Sequence, residues 1–285
     1  MSEEIVLSAK HLKCAYPGQV GHALYIKEFQ LVKGKVHFVL GRSGIGKSTL
    51  IESLGLMEKT VIRSTSTDVQ LHSQGQSHDL ISIWEARSDS ISKFRQEHFS
   101  FIFQSTNLLP NLSLRENVLM PAWIEGRQSN AAQEAEIAAL FGRLLKEIPE
   151  EDWDKDVTAI SGGQRQRVAF MRALMTTFDV LFADEPTGNL DAYKATQAMD
   201  LLSSELKNKG GTACIVSHDI ALALRYADII YLLTPETGVE SKKPYGALSK
   251  SNMFSKQDEV WLSGEGQRME ANELKERLNQ ALIES

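Results

Sequence analysis

The chain has 285 residues, of which 42% are hydrophobic and 24% are charged, and this is enough apolar material for one large core or two smaller ones, so a disordered chain is excluded. With 31 Lys and Arg against 37 Asp and Glu, the formal net charge is −6, which argues against a surface that follows nucleic-acid phosphates throughout. The two cysteines, Cys14 and Cys214, fit neither a disulfide scaffold nor a cysteine zinc site, and we expect ordinary thiols in a reducing cytosol.

The first ten residues, MSEEIVLSAK, are acidic, whereas a secretory signal begins with basic residues and continues into an apolar run of about 7–15 residues. Apolar runs elsewhere, such as VLFA at 180–183, fall far below the roughly 18 residues that cross a bilayer. We therefore expect a cytoplasmic chain with no segment inside the membrane.

Short runs typical of buried β-strands alternate with helical stretches along the chain. This alternation predicts an α/β fold with a mainly parallel sheet, because parallel strands are covered on both faces and therefore read as continuous apolar runs. The runs are VHFVL (36–40), FSFIF (99–103), DVLFA (179–183) and TACIVS (212–217).

The segment GRSGIGKST, from Gly41 to Thr49, lies between the strand VHFVL and the helical stretch LIESLGL. Its glycines allow a tight backbone whose N–H groups converge on phosphate oxygens, and the dipole of the following helix assists them. Lys47 supplies a positive charge for the β- and γ-phosphates, and the Ser48 hydroxyl can bind Mg²⁺. This pattern predicts a P-loop, but it leaves kinases, GTPases, helicases and transport ATPases all open.

The middle of the chain divides into a polar and a helical part. Residues 61–80 are rich in Ser, Thr, Gln and His, and we expect strands and turns there. In contrast, residues 131–148 carry apolar side chains at helical spacing as far as Pro149. Because the surrounding stretch of about 105–159 lacks strong strand signals, it is expected to be a helical subdomain inserted into the core.

Two further motifs follow. In ISGGQRQR (160–167), Ser161 and two glycines open a helix and form a second anion-binding turn. One nucleotide does not need two such turns in one chain, so the second suggests a site that another subunit completes. In VLFADEP (180–186), Asp184 and Glu185 follow a buried strand, and such strand ends bind ligands in open α/β sheets. Asp184 suits the Mg²⁺ shell, and Glu185 is placed to polarise a water molecule.

The order of these motifs resembles that of the ATP-binding cassette (ABC) ATPases over most of the chain. The resemblance implies a P-loop NTPase fold with a RecA-like core, an N-terminal antiparallel β subdomain and the inserted helical subdomain. The ATPase domain is then expected at 1–235 and a C-terminal extension at 236–285. In that extension Leu274, Leu278 and Leu282 recur every four residues and predict a helix.

The resemblance also implies roles for single residues. Tyr16 is expected to stack on adenine, and Gln104 to contact the shell of metal and water. Glu185, His218 and Gln104 are the implied catalytic residues. The implied metal ligands are Ser48, Gln104 and Asp184. The implied nucleotide-binding residues are Tyr16, Gly41, Arg42, Ser43, Gly44, Ile45, Gly46, Lys47, Ser48, Thr49, Ser161, Gly162, Gly163, Gln164 and Asp191.

Within the family, FIFQSTNLLPNLSLRENVLMP and DEPTGNLD resemble the subgroup that serves lipoprotein release, macrolide export and cell division. The family resemblance implies ATP and Mg²⁺ as cofactors and an ATP-dependent homodimer, in which Ser161 and Gly163 of one subunit close the nucleotide site of the other. It further implies integral membrane permease subunits as partners, which would hold the chain peripherally on the cytoplasmic face of the inner membrane.

Two other functions are weighed against a transport ATPase. A non-transport ABC ATPase acting on DNA or ribosomes is disfavoured, because the sequence has no long coiled-coil insertion, second cassette, cysteine-rich insertion or basic balance; no nucleic-acid partner is expected. A P-loop kinase, or a nucleotide-binding scaffold without turnover, would leave the turn at Ser161 and the histidine at His218 unexplained.

Overall fold

The computed structural model describes residues 3–18, 21–124, 126, 131–237 and 244–284. The strands are β1 (Ile5–Cys14), β2 (Leu24–Val32), β3 (Val36–Leu40), β4 (Val61–Ile62), β5 (Asp68–Ser73), β6 (Gln76–Asp79), β7 (Phe99–Ile102), β8 (Val180–Asp184), β9 (Thr212–Ser217), β10 (Ile229–Leu232), β11 (Thr234–Glu236), β12 (Tyr245–Leu248), β13 (Met253–Gln257), β14 (Val260–Ser263) and β15 (Arg268–Glu270). The helices are α1 (Lys47–Leu54), α2 (Leu80–Trp84), α3 (Ser88–His98), α4 (Leu114–Ile124), α5 (Ala131–Leu144), α6 (Gly162–Leu174), α7 (Ala192–Lys209), α8 (Ile220–Tyr226) and α9 (Ala271–Glu284).

The larger sheet has the strand order β15-β14-β13-β10-β3-β9-β8-β7. Its strands β10, β3, β9, β8 and β7 run parallel, while β13, β14 and β15 continue one edge in antiparallel pairing. Every residue of β3 and β9 is buried, which explains why these strands are continuous apolar runs without alternation. The predicted mainly parallel sheet is confirmed.

The smaller sheet is mostly antiparallel and has the order β11-β12-β2-β1-β5-β6, with β4 pairing with β1. Strand β1 runs antiparallel to β2 and to β5, and β12 joins the other side of β2 in parallel. The strands and turns expected over 61–80 are present as β4, β5 and β6. This sheet is the N-terminal antiparallel subdomain that the family resemblance implies.

The buried apolar side chains of the described residues form three clusters. One lies between the two sheets. A second lies between the other face of the parallel sheet and the helices α6, α7, α8 and α9. Leu274 and Leu278 are fully buried in that cluster, so the predicted C-terminal helix is confirmed as α9. The third cluster joins α4, α5 and α6 and forms the helical region. In the described ranges, each helix is either too short or too polar to pass through a bilayer.

Two sequence-based expectations concern where a helix ends and where the chain divides into domains. The helix predicted over 131–148 ends at Leu144, and a turn follows, in which the N–H of Ile148 donates to the carbonyl of Leu145 at 2.9 Å. The division of the chain at residue 235 stays a prediction. The residues beyond it contribute to both sheets, since β12 pairs with β2 and β13 pairs with β10.

His37 connects the two sheets. The backbone N–H of Val32 in β2 donates to its Nε2 at 3.0 Å, so Nδ1 carries the proton and donates to the carbonyl of Ala213 in β9 at 3.1 Å. The ring is completely buried, and burial lowers the pKa of His37 from 6.5 to about 4. The histidine is therefore neutral at pH 7, and both ring nitrogens are used.

Both thiols are also buried. Burial raises the pKa of Cys14 to about 11 and raises the pKa of Cys214 as well. At neutral pH neither side chain forms an appreciable amount of thiolate, the form that reacts.

Candidate functional site

The phosphate loop connects β3, which ends at Leu40, to α1, which begins at Lys47. Gly44 and Gly46 have φ of 78° and 106°, a left-handed region that suits glycine. The carbonyl of Gly46 accepts the N–H of Leu50 at 3.0 Å and starts the helix. The loop thereby brings backbone N–H groups and the positive end of α1 together, an arrangement that binds phosphate.

Lys47 points back along this loop and is only 7% exposed. Its Nζ donates to the carbonyl oxygens of Gly41 at 2.9 Å and Arg42 at 3.0 Å. The same ammonium lies 3.6 Å from Oε1 of Glu185. A buried positive charge is therefore held at the loop, next to a carboxylate from the neighbouring strand end.

Glu185 follows β8 and has a φ of +45°, which is uncommon for a residue with a side chain. Its N–H donates to the carbonyl of Val216 in β9 at 3.0 Å, and this bond holds the strained backbone in place. Oε2 of Glu185 lies 2.7 Å from Nδ1 of His218. The structure thus brings three of the predicted residues, Lys47, Glu185 and His218, together beside the carboxyl ends of neighbouring parallel strands.

Asp184 ends β8 beside α1. Burial raises the pKa of the Asp184 carboxyl, and the charges of Glu185 and Glu52 raise it further, whereas a hydrogen bond from Ser48 and the charge of Lys47 act in the opposite direction. The Ser48 hydroxyl and the Asp184 carboxylate are the hard oxygen ligands that Mg²⁺ prefers, so the donor set fits this ion. In the described ranges, no three His, Cys, Asp or Glu side chains converge as a metal site.

Tyr16 lies against α1. Its hydroxyl donates to Oε2 of Glu52 at 2.7 Å and lies 2.9 Å from Oγ1 of Thr49. Burial raises the pKa of Tyr16 to about 12, so the phenol stays protonated. The sequence analysis did not identify Glu52; its only signal there is the three-residue spacing from Thr49, which puts both on one face of a helix.

Ser161 caps α6 in the way its sequence predicts. The N–H of Gln164 donates to Oγ of Ser161 at 3.3 Å, and the N–H of Ser161 donates to Oε1 of Gln164 at 2.8 Å. Ser161 and Gly162 are exposed. Ser161 and Gly163 line a cavity of about 550 Å³ with residues of α5 and α7, and none of residues 41–49 lines it. The turn at Ser161 thus opens onto a cavity whose walls include residues of α5 and α7.

Gln104 lies in the segment after β7, and Asp191 lies in the segment between β8 and α7. Nε2 of Gln104 is 3.3 Å from the point where a Cβ on Gly188 would lie, so the amide lies beside the segment that follows β8. Asp191 caps α7 by accepting the N–H of Lys194 at 2.9 Å, and this bond holds the pKa of its carboxyl below its usual value. Asp191 is exposed.

Comparison with known proteins identifies the family. The model of the family described as "ABC transporter" matches residues 26–188, more than half of the chain. The chain therefore belongs to the ABC transporter family. It is the ATP-binding subunit of such a transporter and an ATPase.

Three curated relatives are informative. The lipoprotein-releasing system ATP-binding protein LolD of Shewanella oneidensis is 40% identical over 204 residues, which are 70% of this chain and 80% of LolD. An uncharacterized ABC transporter ATP-binding protein of Methanocaldococcus jannaschii, MJ0796, is 33% identical over 242 residues, 85% of this chain and 92% of that protein. The macrolide export ATP-binding/permease protein MacB of Rhodopseudomonas palustris is 37% identical over 211 residues, but the matched region is 74% of this chain and only 30% of MacB.

Solved structures agree with the fold. The dimeric structure of MJ0796 superposes with a TM-score of 0.65 and 28% identity and covers 79% of this chain and 93% of that one. A second dimeric structure of the same cassette, in a post-hydrolysis state bound to ADP and Pi, has a TM-score of 0.63. The CbiO1 protein of Clostridium perfringens, with a TM-score of 0.69 over 99% of this chain and 97% of that one, is 22% identical and supports the fold alone.

Proposed function

We propose that two copies of this chain bind two ATP molecules head to tail and that their hydrolysis drives a separate membrane permease. The observation that carries the proposal is the incomplete site in a single chain. Lys47, Glu185 and His218 surround the phosphate loop, whereas Ser161 and Gly163 are displayed elsewhere on the surface. In a two-fold dimer the second copy would supply the Ser161 turn to each phosphate loop. The single interface between the copies would then contain two equivalent sites.

In this proposal the chain's own residues act mainly by position and charge. Lys47 and the N–H groups of the loop hold the β- and γ-phosphates. Glu185 accepts a proton from the attacking water and is oriented by the bond from His218, which lies at 2.7 Å. Ser161 and Gly163 of the partner subunit add donors on the opposite side of the γ-phosphate, where negative charge develops.

Mg²⁺ is the proposed second cofactor. Ser48, Asp184 and Gln104 would hold it, and when bound the ion neutralises charge on the β- and γ-phosphates. The Gln104 amide lies next to Gly188, three residues after Glu185, and so reaches the same side of the site from the segment after β7.

The helical region is suited to pass a change at the site to another protein. Arg172 of α6 donates to the carbonyls of Thr106 at 2.8 Å and Asn107 at 2.7 Å, so the segment after Gln104 is tied to the helix that Ser161 starts. A shift of Ser161 on closing or opening of the dimer would therefore move the segment beside Gln104 as well.

The relatives named for lipoprotein release and macrolide export support a permease of that type as the partner. Binding to such a permease would place the chain on the cytoplasmic face of the inner membrane. The division into an ATPase domain at 1–235 and an extension at 236–285 is part of the same proposal, with α9 as the helix of the extension.

The test is the ATPase rate of the full chain, measured alone and after addition of a permease of the lipoprotein-release or macrolide-export type, reconstituted in lipid nanodiscs. We expect a low rate alone and a severalfold higher rate with the permease. Empty nanodiscs are the control. DNA or ribosomes form a separate arm, and stimulation by one of them without stimulation by the permease would replace transport with the non-transport function.

A further inference from the structure

Gly246 of β12 lies directly against the phosphate loop, although 205 positions separate it from Gly41 in the numbering. A Cβ built on Gly246 would lie 2.0 Å from the carbonyl oxygen of Ile45 and 3.2 Å from its Cγ1. Real Cβ atoms do not approach other atoms so closely, so any side chain at 246 must move either the loop or the strand.

Space, and not backbone conformation, is what requires glycine at this position. Gly246 is not among the glycines with positive φ, and it lies in regular parallel pairing opposite Leu24. An alanine would therefore suit the backbone of β12 in every respect except its contact with Ile45.

The strand side of this contact is firmly held. Gly246 donates its N–H to the carbonyl of Ala23 at 3.0 Å, and Ala247 and Leu248 beside it are almost completely buried. Strand β12 pairs with β2 on one side and with β11 on the other. The loop side, in contrast, is a turn between a strand and a helix, so we expect the loop to give way.

The loop also touches β2 at the next residue. A Cβ on Gly46 would lie 3.3 Å from the carbonyl of Ala23 and 3.6 Å from Cβ of Leu24. We call Ala23, Leu24 and Gly246 the loop seat. The Ile45–Gly46 peptide packs against this seat: Ile45 contacts Gly246, and Gly46 lies next to Ala23 and Leu24.

The seat determines the direction of one phosphate-binding group. The Ile45 carbonyl and the Gly46 N–H belong to one planar peptide, which is trans because no cis peptide occurs in the described chain, so they point in opposite directions. With the carbonyl packed against Gly246, the N–H must point away from the seat and into the loop.

We propose that Gly246 is a positioning residue for ATP binding, which fixes the Ile45–Gly46 peptide so that the Gly46 N–H is aimed at a phosphate oxygen. The proposal rests on the proposed function, since it assigns a new residue to the same nucleotide site. It also makes part of the segment beyond residue 235 necessary for tight nucleotide binding.

The test compares Gly246→Ala with Gly264→Ala in the full chain. Gly264 is a matched control, because a Cβ there would lie 1.8 Å from the carbonyl of Lys250, an equally severe clash in the same segment. The affinity for a fluorescent N-methylanthraniloyl ATP analogue and the melting temperature are measured for both variants. We expect both to melt earlier, and only Gly246→Ala to lose affinity, by about tenfold, since its loop N–H is misdirected.

Each outcome decides something. If Gly246→Ala binds the analogue within twofold of the wild type, or if Gly264→Ala loses as much affinity, the proposal is overturned. If Gly246→Ala does not fold, Ile45→Ala removes the side-chain part of the contact, whose Cγ1 lies 3.2 Å from the same point, and so loosens the loop against the strand without adding an atom. An affinity reduced about threefold supports the proposal and an unchanged affinity overturns it. Failure of the wild type itself to bind the analogue would instead overturn the proposed function.

Discussion

Lys47 is held at the phosphate loop by three oxygen atoms, two from backbone carbonyls and one from Glu185. The carbonyls fix the ammonium in one place, so its charge is available where the loop N–H groups converge. The positive φ of Glu185 has a similar effect on the carboxylate, because it turns the side chain back towards Lys47 and His218. At the scale of single residues the site is thus preorganised by backbone contacts.

Lys47→Ala is expected to weaken ATP binding at least tenfold, because hydrogen bonds to a charged group contribute about 1.5–3 kcal/mol each. The measurement is binding of the fluorescent ATP analogue. Lys93→Ala, at an exposed lysine whose partner is Glu97, is the matched control and should bind like the wild type. Equal affinities of the two variants would contradict the role of Lys47.

Glu185→Gln is expected to keep ATP binding and to slow hydrolysis by about 100-fold or more, as for loss of a general base. Phosphate release in single turnover is the measurement. Glu52→Gln removes the neighbouring carboxylate, which bonds Tyr16 and lies on α1. Hydrolysis should survive that change; if Glu52→Gln were the slower variant, the assignment of the base to Glu185 would be wrong.

At the scale of elements, the site depends on how β2, β3 and β9 meet. His37 of β3 receives the Val32 N–H from one sheet and donates to the Ala213 carbonyl in the other, in a fully buried position. A proton added to Nε2 would break the bond from Val32 and bury a charge. The joint between the sheets is consequently sensitive to acid.

The sign of this effect follows from the lowered pKa. Between about pH 6.5 and pH 4 the unfolded chain binds a proton at residue 37 and the folded chain does not. The contribution of His37 to the free energy of unfolding is therefore fully present above pH 6.5 and decreases as the pH falls. The expected loss in the free energy of unfolding is about 2 kcal/mol at pH 5 and about 3 kcal/mol at pH 4.

Urea unfolding of the wild type and of His37→Gln at pH 7, 5 and 4 measures this contribution as the difference between their pH dependences. His72→Gln changes an exposed histidine and is the control, expected to follow the wild type. An identical pH dependence in the wild type and in His37→Gln would show that the joint does not titrate.

At the scale of the whole molecule, the head-to-tail arrangement makes a prediction about mixtures. In a dimer of one Lys47→Ala chain and one Ser161→Arg chain, both defects fall in one site and the other site is intact. The mixture should therefore hydrolyse ATP severalfold faster than either variant alone. A mixture of Lys47→Ala and Glu185→Gln is the control, because each of its two sites has a defect, and it should stay inactive.

The rates are measured as phosphate release after the purified variants are mixed and equilibrated. Activity of the first mixture no higher than the mean of its components would contradict a site shared between subunits.

The sequence predicted much of this site, because its motifs are local. Lys47, Ser48, Asp184 and Glu185 each follow a strand that the sequence marks, and parallel strands bring their carboxyl ends together whatever the details of packing. The N-terminal antiparallel sheet came from the family resemblance, whereas the helical insertion followed from the lack of strand signals over about 105–159 and the helical spacing over 131–148.

Contacts between distant segments could not be predicted in this way. Gly246 reaches the loop only because β12 pairs with β2, and no pattern around YGAL marks that pairing. His37 lies in an apolar run and reads as an ordinary core residue until the positions of Val32 and Ala213 are known. Arg172 similarly depends on where the segment after β7 turns.

The burial of both native sulfurs has a practical consequence. Cys14 and Cys214 are buried, and burial raises the pKa of both thiols, so we expect neither to react with alkylating dyes at neutral pH. Ser90→Cys and Ser204→Cys, both at exposed positions outside the turns at 41–49 and 161–164, would introduce the reactive groups without prior replacement of the native ones. Spectroscopic labels at those two positions would then report how far the two subunits of the proposed dimer move apart during turnover.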